Sequence, residues 1–165
     1  MSRTDILRAA AISGTAASLT SSVALALLAR AGGLSPLQPV NATSHWLHGP
    51  DAARVTDADL AHTAVGYATH HAATLFWSAI FETWLGRRRP APLPMLQYAL
   101  ALSAIAAVVD YGATPKRFTP GWEFVLNRRD MAATYVAMAV GLAAGSLAAR
   151  GLPVRPATMT PARRA

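Results

Sequence analysis

Seven side chains hold most of the chemistry this sequence could perform: His45 and His48 in a polar connection, His62, His70, His71 and Glu82 within the stretch 57–89, and Asp110. Imidazole and carboxylate groups ligate divalent metals and exchange protons near neutral pH. His45 and His48 are three residues apart and share one face of a short helix, so they could ligate one metal ion. In the next segment, at about 100° per helical residue, His71, Ser78 and Glu82 fall close to one line, with Tyr67 and Thr74 beside it. That stripe (Tyr67, His71, Thr74, Ser78, Glu82) is expected to face the interior, and His70 to sit on an aromatic face with Trp77 and Phe81. His62 points almost opposite to His71, so one helix cannot bring all four groups to a single site. Asp110 ends the following apolar block on the same side as His62. A His62–Asp110 pair, with His45 and His48 closing over it, is therefore the candidate metal or proton site, because a carboxylate orients an imidazole both around metals and in general-base pairs. Glu82 is expected to be held by Arg87 or Arg88 reaching back.

The elements that must position these groups are apolar. Hydrophobic residues make up 53% of the 165 and charged residues only 14%, against roughly 25% charged in ordinary soluble domains. Four blocks, about 9–29, 60–85, 93–111 and 131–149, approach the roughly 20 apolar residues that cross a bilayer. The expectation is an all-α protein: four transmembrane helices in an antiparallel bundle, with a short interfacial helix in the first loop. Residues 1–150 would form one domain and 151–165 a flexible basic tail. Ionisable groups inside such helices are costly and are functional candidates by default.

The net charge is +7 and the pI about 11.0. The arginines gather at block ends (Arg87–Arg89, Arg128–Arg129, Arg150, Arg163–Arg164), where topology determinants and contacts to anionic lipid headgroups belong. No nucleic-acid motif interleaves them with aromatics, so nucleic acid is not an expected partner. The absence of cysteine excludes disulfides, thiolate metal sites and cysteine nucleophiles.

Arg3, Arg8 and the Ala29–Arg30–Ala31 triplet resemble a secretion signal. The apolar run between them exceeds the 7–15 residues usual for one, which favours a retained span. Gly14, Ser18 and Ser22 recur every fourth position there, and Gly141 and Gly145 do so in the last block. Such small-residue ladders let helices pack closely in lipid, within one chain or between copies in a homo-oligomer. Asn41 is expected to N-cap a helix over ATSHWLH, closed by Gly49–Pro50, and Thr56–Asp59 to start the second long helix. Nine of the fifteen Lys and Arg residues lie in the two termini and the second connection. This places both termini on the cytoplasmic side.

The segments NATSHWLHG, HTAVGYATHHAATLFWSAIFE and VDYGATPKRFTPGWE together resemble a group of small, uncharacterised bacterial inner-membrane proteins, over about residues 10–150. The resemblance implies four helices and an inner-membrane address, and no activity. Three functions fit the residues. The first is a non-catalytic membrane scaffold or complex subunit. The second is a bundle whose interior histidines and carboxylates bind a metal ion or protons. Haem is the weaker cofactor because the first, third and fourth blocks contain no histidine. The third is an oligomeric transporter of small solutes.

Overall fold

Ser2 accepts a hydrogen bond from the Asp5 amide at 3.1 Å and Asp5 accepts one from the Ser2 amide at 2.9 Å. This reciprocal cap opens α1, Arg3–Ala31. The computed structural model describes residues 2–151; the expected flexible tail falls outside them, apart from its first residue. Two short helices follow, α2 (Gln38–Thr43) and α3 (His45–His48), then a 3-10 turn over Pro50–Arg54. Asp59 caps the next helix by accepting from the backbone N–H of His62 and of Thr63. That helix begins as a π turn (Leu60–Ala64) and continues as α4, Val65–Leu85. Prolines open α5, Pro92–Val108, where a missing N–H costs nothing, and a second π turn extends it through Ala113. The last helix is α6, Arg128–Gly151. No strand occurs among the described residues.

Three helices are long and apolar enough to cross a membrane: Arg3–Ala31, Pro92–Ala113 and Arg128–Gly151. The helix α4 is not among them, since two histidines, Glu82 and several hydroxyls lower its apolar character.

The helix α1 is the hub. It packs most extensively on α6 and next on α4, while α5 leans on α6 and barely touches α4. Both partners run against α1. On the α4 side, His70 meets Ser21 and Ser78 meets Ala10; on the α6 side, Thr20 donates to the Ala137 carbonyl at 2.8 Å and Gly145 lies against Ser13. These seams are close. A Cβ on Gly14 would stand 2.6 Å from Ser78 Oγ, one on Gly141 2.5 Å from the Ala16 carbonyl oxygen, and one on Gly145 2.6 Å from Ser13 Cα. Ser18 is buried between the helices, and the hydroxyls of Ser18 and Ser22 have no hydrogen-bond partner among the described residues.

Hydroxyl-bearing and apolar side chains share the interior, where Leu25, Phe81, Met95 and Leu142 are also fully buried. Ser13, Ser18, Ser21, Ser78, Thr134 and Ser146 are fully buried, while Leu19, Val23, Leu27, Phe76, Val108 and Val136 are at least half exposed. Small and hydroxyl-bearing residues let helix backbones meet, and many large apolar side chains look outward, a pattern that suits packing within lipid.

The first connection does not fold as expected. Asn41 is not an N-cap: it lies inside α2, fully buried. Its Nδ2 donates to the carbonyls of Val55 (2.9 Å) and Asp57 (3.1 Å), and its Oδ1 accepts from Thr63 (2.6 Å). A side chain that satisfies three distant groups outweighs one helix cap, and it ties the connection to the start of α4. The connection between α5 and α6 docks on the same end. Trp122 donates to Thr43 at 3.2 Å, Arg117 donates to the Trp46 carbonyl at 3.0 Å, and Gly121 adopts φ 82 against α2. Only glycine suits that position, because a Cβ there would also stand 2.7 Å from His45 Nδ1.

Candidate binding cavity

The sequence-derived site residues separate. His62 bonds Asp59, at 2.7 Å between Nδ1 and Oδ2, and not Asp110. The physical reason is proximity: Asp59 already caps the turn that carries His62, so its second oxygen meets the ring at no extra cost in ordering. Those two hydrogen bonds, the backbone N–H first and the ring second, hold the Asp59 carboxyl below the usual carboxylate range. The His48 ring lies 4.6 Å from that of His62 and bonds the Ala61 carbonyl at 2.9 Å. His45 is buried, and its two ring nitrogens meet the carbonyls of Ala42 and Lys116 at 3.0 and 3.2 Å. Asp110 instead accepts from the Tyr135 hydroxyl at 2.6 Å. Among the described residues no three His, Asp or Glu side chains come together to hold a metal ion.

The interior stripe of α4 is shifted. Thr74, Ser78 and Glu82 are buried, but the histidine inside with them is His70, 5% exposed. The helix meets its neighbours along Gly66, His70, Thr74 and Ser78, and His70 stands about 100° around the helix from His71. His71 and Tyr67 stack on each other at its edge, with ring centroids 5.9 Å apart. Glu82 pairs with Arg150 at 2.5 Å, not with Arg87 or Arg88. The chain turns away at Gly86 (φ 55) and leaves Arg87–Arg89 exposed, whereas the last turn of α6 returns to Glu82. Arg150 Nη1 also donates to Ser146 Oγ at 2.5 Å and Nε to the Arg88 carbonyl at 3.2 Å.

What the fold does assemble is a cavity of about 370 Å³ under the docked connections, where α4 and α6 stand apart across the end of α5. Its walls carry five aromatic side chains, with four threonines among them. Trp46 comes from α3, Trp77 from α4, Phe118 and Trp122 from the connection before α6, and Tyr135 from α6 itself. Trp122 anchors this box, with its ring 5.6 Å from both His70 and Tyr135. Trp46 is fixed by donating to Thr69 at 3.1 Å. His70 reaches across to α1, with Nε2 2.9 Å from Ser21 Oγ. Because the Ser21 hydroxyl donates to the Ala17 carbonyl at 2.6 Å, Nε2–H donates to Ser21, which commits that edge of the ring to packing. Of the Asp, Glu, Lys and Arg side chains among the described residues, Asp110 alone lines the cavity. Glu123 and Arg128 border a separate cleft that shares only Tyr135 with it.

Sequence reasoning found Asp110 but paired it with His62, placed His70 on an aromatic face, and missed Tyr135. A lone tyrosine in an alanine-rich block gives no sign of the carboxylate it will meet 25 residues away. The chain matches no family model, no curated protein and no solved structure.

Proposed function

We propose that this chain is a four-pass integral membrane protein, an antiparallel bundle in a bacterial inner membrane with both termini cytoplasmic, that binds a small amphiphilic molecule without transforming it. The observation that carries this reading is the 370 Å³ cavity. Ligand sites are typically apolar hollows with a few placed polar groups, and aromatic walls around Asp110 and His70 fit that description. In this reading α4 crosses with the other three helices, because its buried polar groups are turned away from lipid, His70 and Ser78 onto α1 and Glu82 onto α6. The cavity then lies near the outer surface. Tyr135 is seven residues into α6, about 10 Å below its start at 1.5 Å per residue, so the cavity is open to molecules partitioned into the outer leaflet.

A scaffold that oligomerises through the small-residue ladders has less support. Gly14, Gly141 and Gly145 already face other helices of the same chain, so a homo-oligomer would need a different surface. A metal ion at His45, His48, His62 and Asp110 would require all four side chains to leave their present partners.

Purified protein in lipid nanodiscs, titrated with small aromatic alcohols, amines and ammonium salts, tests the reading through tryptophan fluorescence. At least one compound should give a saturable change at one site per chain, and Ala73→Phe, which fills the cavity wall, should abolish it. Purely linear partitioning in both proteins would contradict it. A reporter fused after Arg150 should read cytoplasmic.

A further inference from the structure

We infer that the cavity is selective for an organic cation, a substituted or quaternary ammonium group carrying apolar substituents, held by Asp110 within the aromatic box. The inference deepens the cavity reading and depends on it.

Three features of the lining converge on this ligand class. The first is charge. Among the described residues Asp110 is the only acidic or basic side chain at the cavity apart from histidine, no Lys or Arg pairs with it, and its one hydrogen bond is from the uncharged Tyr135 hydroxyl, to Oδ2. A carboxylate in apolar surroundings gains most from a cation that it can meet without water. The second is the nature of the walls. Trp46, Trp77, Trp122 and Tyr135 present π faces or edges to one space, and a cation over the face of an indole or phenol ring is attracted by the ring quadrupole. An anionic guest would meet both the carboxylate and those faces unfavourably. The third is the scarcity of donors. His70 Nε2–H is committed to Ser21 and the Tyr135 hydroxyl to Asp110, and the Trp46 and Trp122 indole N–H groups donate to Thr69 and Thr43. A ligand that needs several hydrogen-bond donors, such as a carboxylate or phosphate, finds most of them occupied. A quaternary ammonium needs none.

The same cationic group could arrive as a free lipophilic amine or as the choline headgroup of a membrane lipid. Both present an alkylated nitrogen from the lipid phase, and the experiment separates them.

Equilibrium dialysis of the full chain in phosphatidylglycerol nanodiscs, referenced to empty discs, compares phenyltrimethylammonium with tert-butylbenzene, in which carbon replaces the charged nitrogen in the same shape. Saturable binding of the cation at one site per chain is expected, at least tenfold tighter than any saturable binding of the neutral isostere. Asp110→Asn should lower cation affinity at least tenfold. Asp51→Asn, a change at an exposed carboxylate remote from the cavity, should not alter it. If adding phosphatidylcholine to the discs weakens binding in proportion to its fraction, the headgroup is a natural occupant; if it has no effect, the ligand is a free cation. Equal saturable binding of both compounds would overturn the cation inference and leave the cavity reading standing. Absence of saturable binding by either would count against both. The wild-type comparison stands even if Asp110→Asn fails to fold, and Asp110→Glu, which keeps the charge, should retain most of the affinity.

Discussion

Glu82 and Asp110 both lie within the helix packing, one toward each end, and their surroundings differ in kind. Glu82 is fully buried and meets the Arg150 guanidinium, which is itself held by Ser146 and the Arg88 carbonyl. Its charge is met by a guanidinium inside the chain. Asp110 is half-buried, has one hydrogen bond from a neutral hydroxyl, and borders an aromatic hollow. A carboxylate already matched to a cation closes a fold, whereas one matched only to a phenol beside an open space can receive a ligand. The contrast separates a structural end of the molecule from a receptive one, although both acids look alike in the sequence.

The largest effect should come from breaking the matched end. Arg150→Met leaves Glu82 as an uncompensated buried charge, which should cost about 3–5 kcal/mol. The melting transition in detergent, followed by circular dichroism, should fall accordingly. The double change Glu82→Met with Arg150→Met should recover most of the loss. If Arg150→Met alone melts like the parent, the pair is not buried as described.

Next in size is the α1–α6 seam that joins the two ends. Gly141→Leu drives a side chain into the Ala16 carbonyl and Thr20 and should destabilise by roughly 1–3 kcal/mol, the usual cost of overpacking. The same melt checks it, and Gly32→Ala at the chain surface, where a Cβ meets only ordinary contacts, provides a comparison outside any seam.

Asn41→Ala should cost roughly 1–3 kcal/mol, because it strips hydrogen-bond partners from three groups near the start of α4. Amide exchange at residues 55–63 should rise before exchange at the opposite end changes. Uniform acceleration across the chain would mean that the connection is not a separate unit.

These two changes also mark how far the sequence could be read. The all-helical class follows from block length and apolarity, and Gly141 and Gly145 carry a spacing that only helix contact uses. Asn41 misled because a polar residue before a short helical run has a local use, capping, and its longer-range partners at 55, 57 and 63 leave no periodic mark. The histidines misled by a single step: Thr74, Ser78 and Glu82 are buried as the stripe requires, but the histidine inside with them is His70, about 100° around the helix from His71. Asp110 was visible as chemistry, yet its partner was not, since Tyr135 is brought to it by a helix crossing that no spacing encodes.

Asp110→Asn should change stability by less than about 1 kcal/mol, because the amide oxygen can still accept from Tyr135. Placed beside Arg150→Met, this makes the contrast quantitative: the structural acid sets the melt and the receptive acid does not. The smallest effect concerns Asp59. Its carboxyl is held below the usual range, so its contribution is complete above the unfolded value of about 3.9 and is lost as the pH falls through the lower folded value. Protection of the His62 and Thr63 amides should therefore fall only in acid, and Asp59→Asn should remove that dependence.

The two environments can be compared in one sample with dicyclohexylcarbodiimide, an apolar reagent that adds to carboxyl groups it can reach from the lipid phase. Peptide mass spectrometry of the treated protein should find the adduct on Asp110 and not on Glu82, with phenyltrimethylammonium protecting Asp110. Modification of Glu82 at a rate equal to or above that of Asp110 would contradict the account.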